Sequence, residues 1–136
     1  MSIMNYSLEQ GYTFLWDGDM SDKGFTRKEG IAVVAELKDK DEQFKKHPIK
    51  EKHIDENFRQ SEFDNFDVTD DHLMHIVGLV EDQNGVKYFK TKNSWGTDYK
   101  YNGFWNMSDE FVRLHTVAIM VNKNAIPKEI RKKLNL

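Results

Sequence analysis

The sequence predicts an α+β domain built on a twisted antiparallel sheet or partial β-barrel, with roughly four to six strands and two or three short helices. Three observations predict it. From Asp70 to Gly96, two segments rich in β-branched and aromatic residues flank the polar Asp82-Gln83-Asn84-Gly85, which is the pattern of an antiparallel hairpin. Shorter runs of the same character stand at Gly11–Trp16, Phe104–Met107 and Thr116–Val121. Helical signals are brief and fall between these runs, so a sheet carries the architecture.

Taken in order, Met1–Gln10 is weakly patterned and reads as an arm or a helix remnant. Gly11–Trp16 reads as a strand closed by a turn at Asp17-Gly18-Asp19. Those two aspartates suggest a calcium loop, but the glycine spacing and the distal glutamate of an EF-hand are absent. Met20–Ala35 reads as a loop and a short strand. Glu36–Lys52 is dense in Lys, Asp and Glu and reads as a solvated surface element, with His47 and His53 as exposed bystanders. Ile54, Phe58, Glu62 and Phe66 recur at helical steps with Phe63 beside them, which predicts a helix packing one aromatic face. Val68–Asp71 breaks that helix and delivers the chain to His72.

Beyond the hairpin, Gly96–Gly103 is a polar loop bounded by glycines, and Phe104–Met107 reads as the next strand. Ser108 suits the N-cap of a helix over Asp109–Leu114, with Asp109 and Glu110 at its positive end. Thr116–Val121 is a strand by its β-branched content. Pro127 stands where a helix begins, and Lys128–Leu136 is a basic terminal segment.

Length and composition bound the rest. The 136 residues suit one small domain, taken here as residues 1–136. There is no cysteine, hence no thiol nucleophile, disulfide or thiolate metal site. A net charge of -3 with nearly balanced acids and bases gives no nucleic-acid footprint. No stretch resembles a membrane span, and Met1–Gln10 is too polar for a signal peptide. The default expectation is a cytoplasmic protein, with a targeting segment upstream in a parent gene left open. No cofactor is expected.

The length of the hairpin connection sets which residues meet. With Asn84-Gly85 as a two-residue turn, His72 faces Thr97 and Asn93 lies roughly 13 Å further along, at about 3.3 Å per residue. With a loop of about four residues, Glu81–Asn84, the pairs are Val80 with Gly85, Ile76 with Phe89, Met74 with Thr91 and His72 with Asn93, their Cβ atoms about 5 Å apart. In the second register an asparagine carbonyl can fix the tautomer and plane of the imidazole, leaving the other ring nitrogen free to work on a proton. Blander readings stand beside this one: His72 as a polar strand start, Asn93 as a strand end, Trp95 as core. His75 lies three residues from His72 and so points to the opposite face of a strand, which argues against a shared metal. His115, at a helix end, reads as structural.

Asp-His followed by a Val-Gly strand, then Lys92-Asn93-Ser94-Trp95-Gly96-Thr97, then Asn102-Gly103-Phe104-Trp105, resembles the His and Asn motifs of the papain superfamily in their usual order. Within that superfamily, G-Y-T-F-L-W-D-G-D near the start, F-D-N-F-D-V-T-D-D-H-L-M before His72 and V-N-K-N-A-I-P near the end resemble the bleomycin hydrolase and aminopeptidase C branch. The resemblance runs over nearly the whole chain and covers only the C-terminal part of such an enzyme. It implies the fold of the C-terminal subdomain of papain-like cysteine peptidases. It also implies that His72 and Asn93 are two members of a Cys-His-Asn triad, with Trp95 shielding their hydrogen bond from water.

The family's cysteine sits on a helix N-terminus, and an oxyanion-binding glutamine lies just upstream of it; both belong to a half this sequence does not contain. The resemblance therefore implies inactivity in isolation. It implies as partners a peptide substrate or a separate cysteine-bearing chain, and self-association, most simply a symmetric dimer, through the face carrying His72, Met74 and Asn93. It further implies a C-terminal arm lying in the cleft with Leu136 as its anchor, against the alternative of a solvated helix. Two other readings remain for the whole: a non-catalytic peptide- or protein-binding module, and a folded remnant without activity.

Overall fold

The computed structural model describes residues 1–36 and 49–136, and the expectation of a solvated element over Glu36–Lys52, His47 included, falls mostly outside them. Among the described residues, helix α1 (Ser2–Glu9) precedes strand β1 (Phe14–Gly18), and two short strands follow, β2 (Phe25–Thr26) and β3 (Ile31–Ala32). Helix α2 (Glu56–Asp64) leads to the hairpin β4 (His72–Glu81) and β5 (Lys87–Lys92). Then come β6 (Phe104–Ser108), α3 (Asp109–His115), β7 (Thr116–Met120), a single 3-10 turn (Lys123–Ala125) and α4 (Lys128–Leu134).

The strands form one seven-stranded sheet in the order β2-β3-β6-β5-β4-β1-β7. Every neighbouring pair is antiparallel except β3 with β6, so the sheet is mixed, and it holds more strands than expected. The short strand expected within Met20–Ala35 is β3, and the extra one is β2, each two residues long. At that length a strand has no periodicity to read from sequence.

Alternation decides which face is buried. Phe14 and Trp16 of β1, Met74 and Ile76 of β4, Phe89 of β5 and Trp105 and Met107 of β6 all point inward, where Phe111 and Val112 of α3 and Met4 of α1 meet them. Burying one such side chain contributes about 1.5–3 kcal/mol. This layer therefore holds the sheet flat-side to α3. Met74 is only 3 % exposed, which corrects the expectation that it shares an open apolar face with His72. The chain's own helices cover it.

Two further expectations change. The helix after Ile54 forms, capped by Asp55 accepting from the Phe58 amide at 2.7 Å, but it buries none of its residues. Ile54 and Val68, just outside its two ends, pack with Leu114 instead, and Phe58 leans on that cluster with the Lys52 ammonium 3.2 Å from its ring centroid. Phe63 and Phe66 are exposed, and Phe66 ends the stretch with a φ of 62°, a turn conformation that takes its ring away from the core.

The hairpin register also differs. The connection is Asp82–Val86, so Glu81 pairs with Lys87 and Leu79 with Phe89, and an irregularity between Ile76 and Gly78 then sets Ile76 against Thr91 and His75 against Lys92. Asp82 makes the longer loop: its carboxylate accepts from the Asn84 and Val86 amides at 2.8 and 2.9 Å, with Gly85 at φ 80°.

Candidate active site

His72 opens β4 because the segment before it is pinned. It pairs with Gly18 of β1, the Asp71 amide donates to the Gly18 carbonyl at 3.3 Å, and the Asp71 carboxylate accepts from the Met20 amide at 3.0 Å. Only glycine fits at position 18. A Cβ there would stand 2.2 Å from the His115 carbonyl and 2.4 Å from the Trp16 ring. The His72 side chain points to the same face as Met74 and Ile76 and is half-buried.

Asn93 is the first residue past β5, and its amide donates to the Gly103 carbonyl at 3.0 Å. Its side-chain oxygen accepts twice, from the Ser94 amide at 2.7 Å and from Nε2 of His72 at 2.9 Å. The Ser94 amide can only donate, which fixes which end of the carboxamide faces the histidine. Asn93 Nδ2 is buried without a partner among the described residues. The two side chains thus meet although they are not opposed in the ladder. Beyond Lys92 the chain leaves the sheet, and both side chains reach across its end.

Trp95 completes the site. Its ring centroid lies 5.3 Å from that of His72, and it also meets Trp105 edge-on at 5.6 Å, Phe25 at 6.0 Å, Tyr99 at 6.2 Å and the Arg27 guanidinium 4.3 Å above the ring. With Nε2 donating to Asn93, Nδ1 is the proton-accepting nitrogen of His72, and it makes no hydrogen bond among the described residues. Among the described residues the other histidines do not join: His75 bonds Thr13 at 2.9 Å and His53 bonds Glu110 at 3.1 Å. No group of three or more metal-binding side chains occurs among the described residues. A groove of about 710 Å3 lies on the outer side of β5 and β6 beside Tyr88, Lys90 and Phe104, away from the pair.

Asp19 and His115 meet just past β1, and neither was read from the sequence as part of the site. Asp19 is 2 % exposed; burial alone would raise its carboxyl, but donors on Thr69 and Ser21 and the nearby His115 hold it below the usual carboxylate value. His115 is equally buried, with neither ring nitrogen hydrogen-bonded among the described residues, and burial pushes its imidazole down against the pull of Asp22, Asp19 and Asp71. The paired Asp-Gly-Asp and Thr-Asp-Asp segments were the available signal.

The model of the Peptidase C1-like family matches residues 1–136, the whole of the chain. The chain belongs to this family. Among its relatives is aminopeptidase C of Lactobacillus delbrueckii subsp. lactis, 27% identical over 130 residues, which are 92% of this chain and 26% of that protein. Aminopeptidase W of the same organism is 36% identical over 59 residues, 43% of this chain and 14% of the relative. The fold is also that of PepW from Lactobacillus rhamnosis HN001, whose crystal structure superposes with a TM-score of 0.70 at 18% identity, over 98% of this chain and 28% of that one. This Peptidase C1-like chain thus spans about a quarter of the length of aminopeptidase C. Its family is one of papain-like cysteine aminopeptidases, and it holds no cysteine itself.

Proposed function

We propose that the chain is the C-terminal portion of a cysteine aminopeptidase of the bleomycin hydrolase type, contributing His72 and Asn93 to a Cys-His-Asn triad whose thiol comes from another segment or a separate chain. One observation carries the reading: the 2.9 Å contact between His72 Nε2 and the Asn93 carboxamide oxygen, which leaves Nδ1 free to act as a base. With a thiol delivered to Nδ1, the imidazole takes its proton and the thiolate attacks the substrate carbonyl. The imidazolium then protonates the leaving amine, and water releases the acyl group. Asn93 holds the ring in plane throughout, and Trp95 keeps water from competing for the Asn93 oxygen.

The substrate class is peptides with a free N-terminus, by analogy with relatives named aminopeptidases. Alone, the chain has no thiol nucleophile, so the purified protein is expected to leave aminoacyl fluorogenic substrates uncut. Supplying the cysteine-bearing portion is expected to give hydrolysis that His72→Ala abolishes. Turnover by the chain alone, or failure of a co-purifying cysteine-bearing portion to cleave, overturns the proposal. A non-catalytic binding module is favoured by the absence of cysteine. Its mark is peptide binding that survives His72→Ala.

A further inference from the structure

We infer that Asp19 is a positioning residue for His72, acting through the backbone behind it; this rests on the catalytic reading of His72 above. Asp19 lies one residue past β1, 2 % exposed, and both its oxygens are engaged. One accepts from the Ser21 amide at 2.8 Å and the Ser21 hydroxyl at 2.7 Å; the other accepts from the Thr69 amide at 2.8 Å and the Thr69 hydroxyl at 3.4 Å. Its own amide donates to the His115 carbonyl at 3.0 Å. The buried carboxylate thus joins the turn after β1 to the segment entering β4, and the backbone amide of the same residue ties in the end of α3.

The consequence for the site follows from chain geometry. Thr69 is three residues before His72, and the Met20–Asp71 and Asp71–Gly18 hydrogen bonds close the same clasp one residue before it. His72 stands at the strand's first position, paired with Gly18, and this clasp closes that end of the ladder from the N-terminal side. Asn93 is held independently, through Gly103 and Ser94. The meeting of ring and carboxamide at 2.9 Å therefore depends on two separately anchored backbones, and Asp19 anchors one of them. Hydrogen bonds to a buried charge are the strong kind, roughly twice a neutral one. Asp22, on the same turn, is the contrast: its carboxylate accepts from the Gly24 amide within its own loop.

The test reads the imidazole of the intact chain by nitrogen–proton correlation spectroscopy, with the His72 ring signal identified by its loss in Asn93→Ala. In Asp19→Asn the Trp16 and Trp105 indole signals are expected to stay, while the His72 Nε2 proton shifts and exchanges with water roughly tenfold or more faster, the scale set by loss of a charge-assisted bond. Asp22→Asn is expected to leave the ring signal unchanged. A folded Asp19→Asn chain with a wild-type His72 signal and exchange rate overturns the inference, as does an equal effect from Asp22→Asn. Should Asp19→Asn fail to fold, Ser21→Ala removes only the 2.7 Å bond and must move the same signal in the same direction, or the inference fails. This readout needs no thiol, so its failure is distinct from a failure of peptidase complementation. In the complemented enzyme Asp19→Asn is expected to lower kcat with little change in KM.

Discussion

Asn93 puts two donors on one oxygen while its own amino group goes unpaired among the described residues, so the residue is spent on orientation rather than on its own solvation. Asn93→Ala is expected to free the His72 ring, raise its solvent exchange and cost about 1–3 kcal/mol, the penalty of leaving partly buried partners unmatched, measured by urea denaturation with the ring signal followed in parallel. Two buried groups away from the pair give opposite pH dependences. Burial raises the Glu51 carboxyl above 4.5, only partly offset by the Ser108 hydroxyl and Val34 amide that donate to it. A raised acid contributes stability below its ordinary value that is lost as pH rises through the folded one. Glu51→Gln keeps an accepting oxygen, so its thermal midpoint is expected to gain on the wild type as pH rises above 4.5. Burial lowers the His115 imidazole below 6.5, so its contribution is full above that value and is lost as pH falls through the lower folded one. His115→Phe, against a Phe111 ring whose centroid is 4.3 Å away, is expected to flatten that acid limb. At this scale the sequence carried His72, Asn93 and Trp95 through their motif spacing. It did not carry Asp19 or Glu51, because a carboxylate's burial depends on chain segments 50 or more residues distant.

Among elements, the loop between β5 and β6 is the one whose geometry the site uses. Gly103 has φ 83°, and a Cβ there would stand 2.3 Å from the Gly96 carbonyl, so the two ends of the loop touch through bare backbone. The Gly103 carbonyl also accepts from the Asn93 amide. Gly103→Ala is expected to cost about 1–3 kcal/mol through that overlap and to displace Asn93, so that the His72 ring proton broadens even where the fold persists. Thermal melting gives the first quantity and the ring signal the second; an unshifted midpoint would show the loop is not packed this way. Capping and alternation made most elements legible: Ser108 accepts from the Phe111 amide at 3.1 Å as its position before Asp109 foretold, and β1, β5 and β6 bury alternate residues. The hairpin register was not legible. A side-chain cap from Asp82 lengthens the loop and an irregularity at Val77 then shifts the ladder, and neither changes the apolar pattern by which strands are recognised. The aromatic face expected of α2 failed for a related reason, since helical spacing says which residues share a side and not whether anything lies opposite.

For the molecule as a whole, the α+β class and the position of the core follow from sequence, while the surface left open does not. The side of the sheet that carries Met74 is closed by α1 and α3, and two exposed apolar side chains stand on the reverse: Leu73 is 62 % and Met120 67 % exposed. They share that face because Leu73 pairs with Asp17, Met120 with Leu15, and Leu15 with His75, so both flank β1 on its outer side. β7 is also the edge of the sheet, pairing with β1 alone. An edge strand beside exposed apolar residues favours pairing with another chain. If the chain self-associates as a symmetric dimer, this reverse face is the surface expected to meet its own copy. Sedimentation across micromolar concentrations is expected to show a dimer that Met120→Lys or Leu73→Glu converts to monomer, with the His72 ring signal unaltered because that side chain lies on the other face. A monomer at every concentration removes the dimer, and a dimer indifferent to both substitutions but broken by changes beside His72 moves the contact to the cleft side.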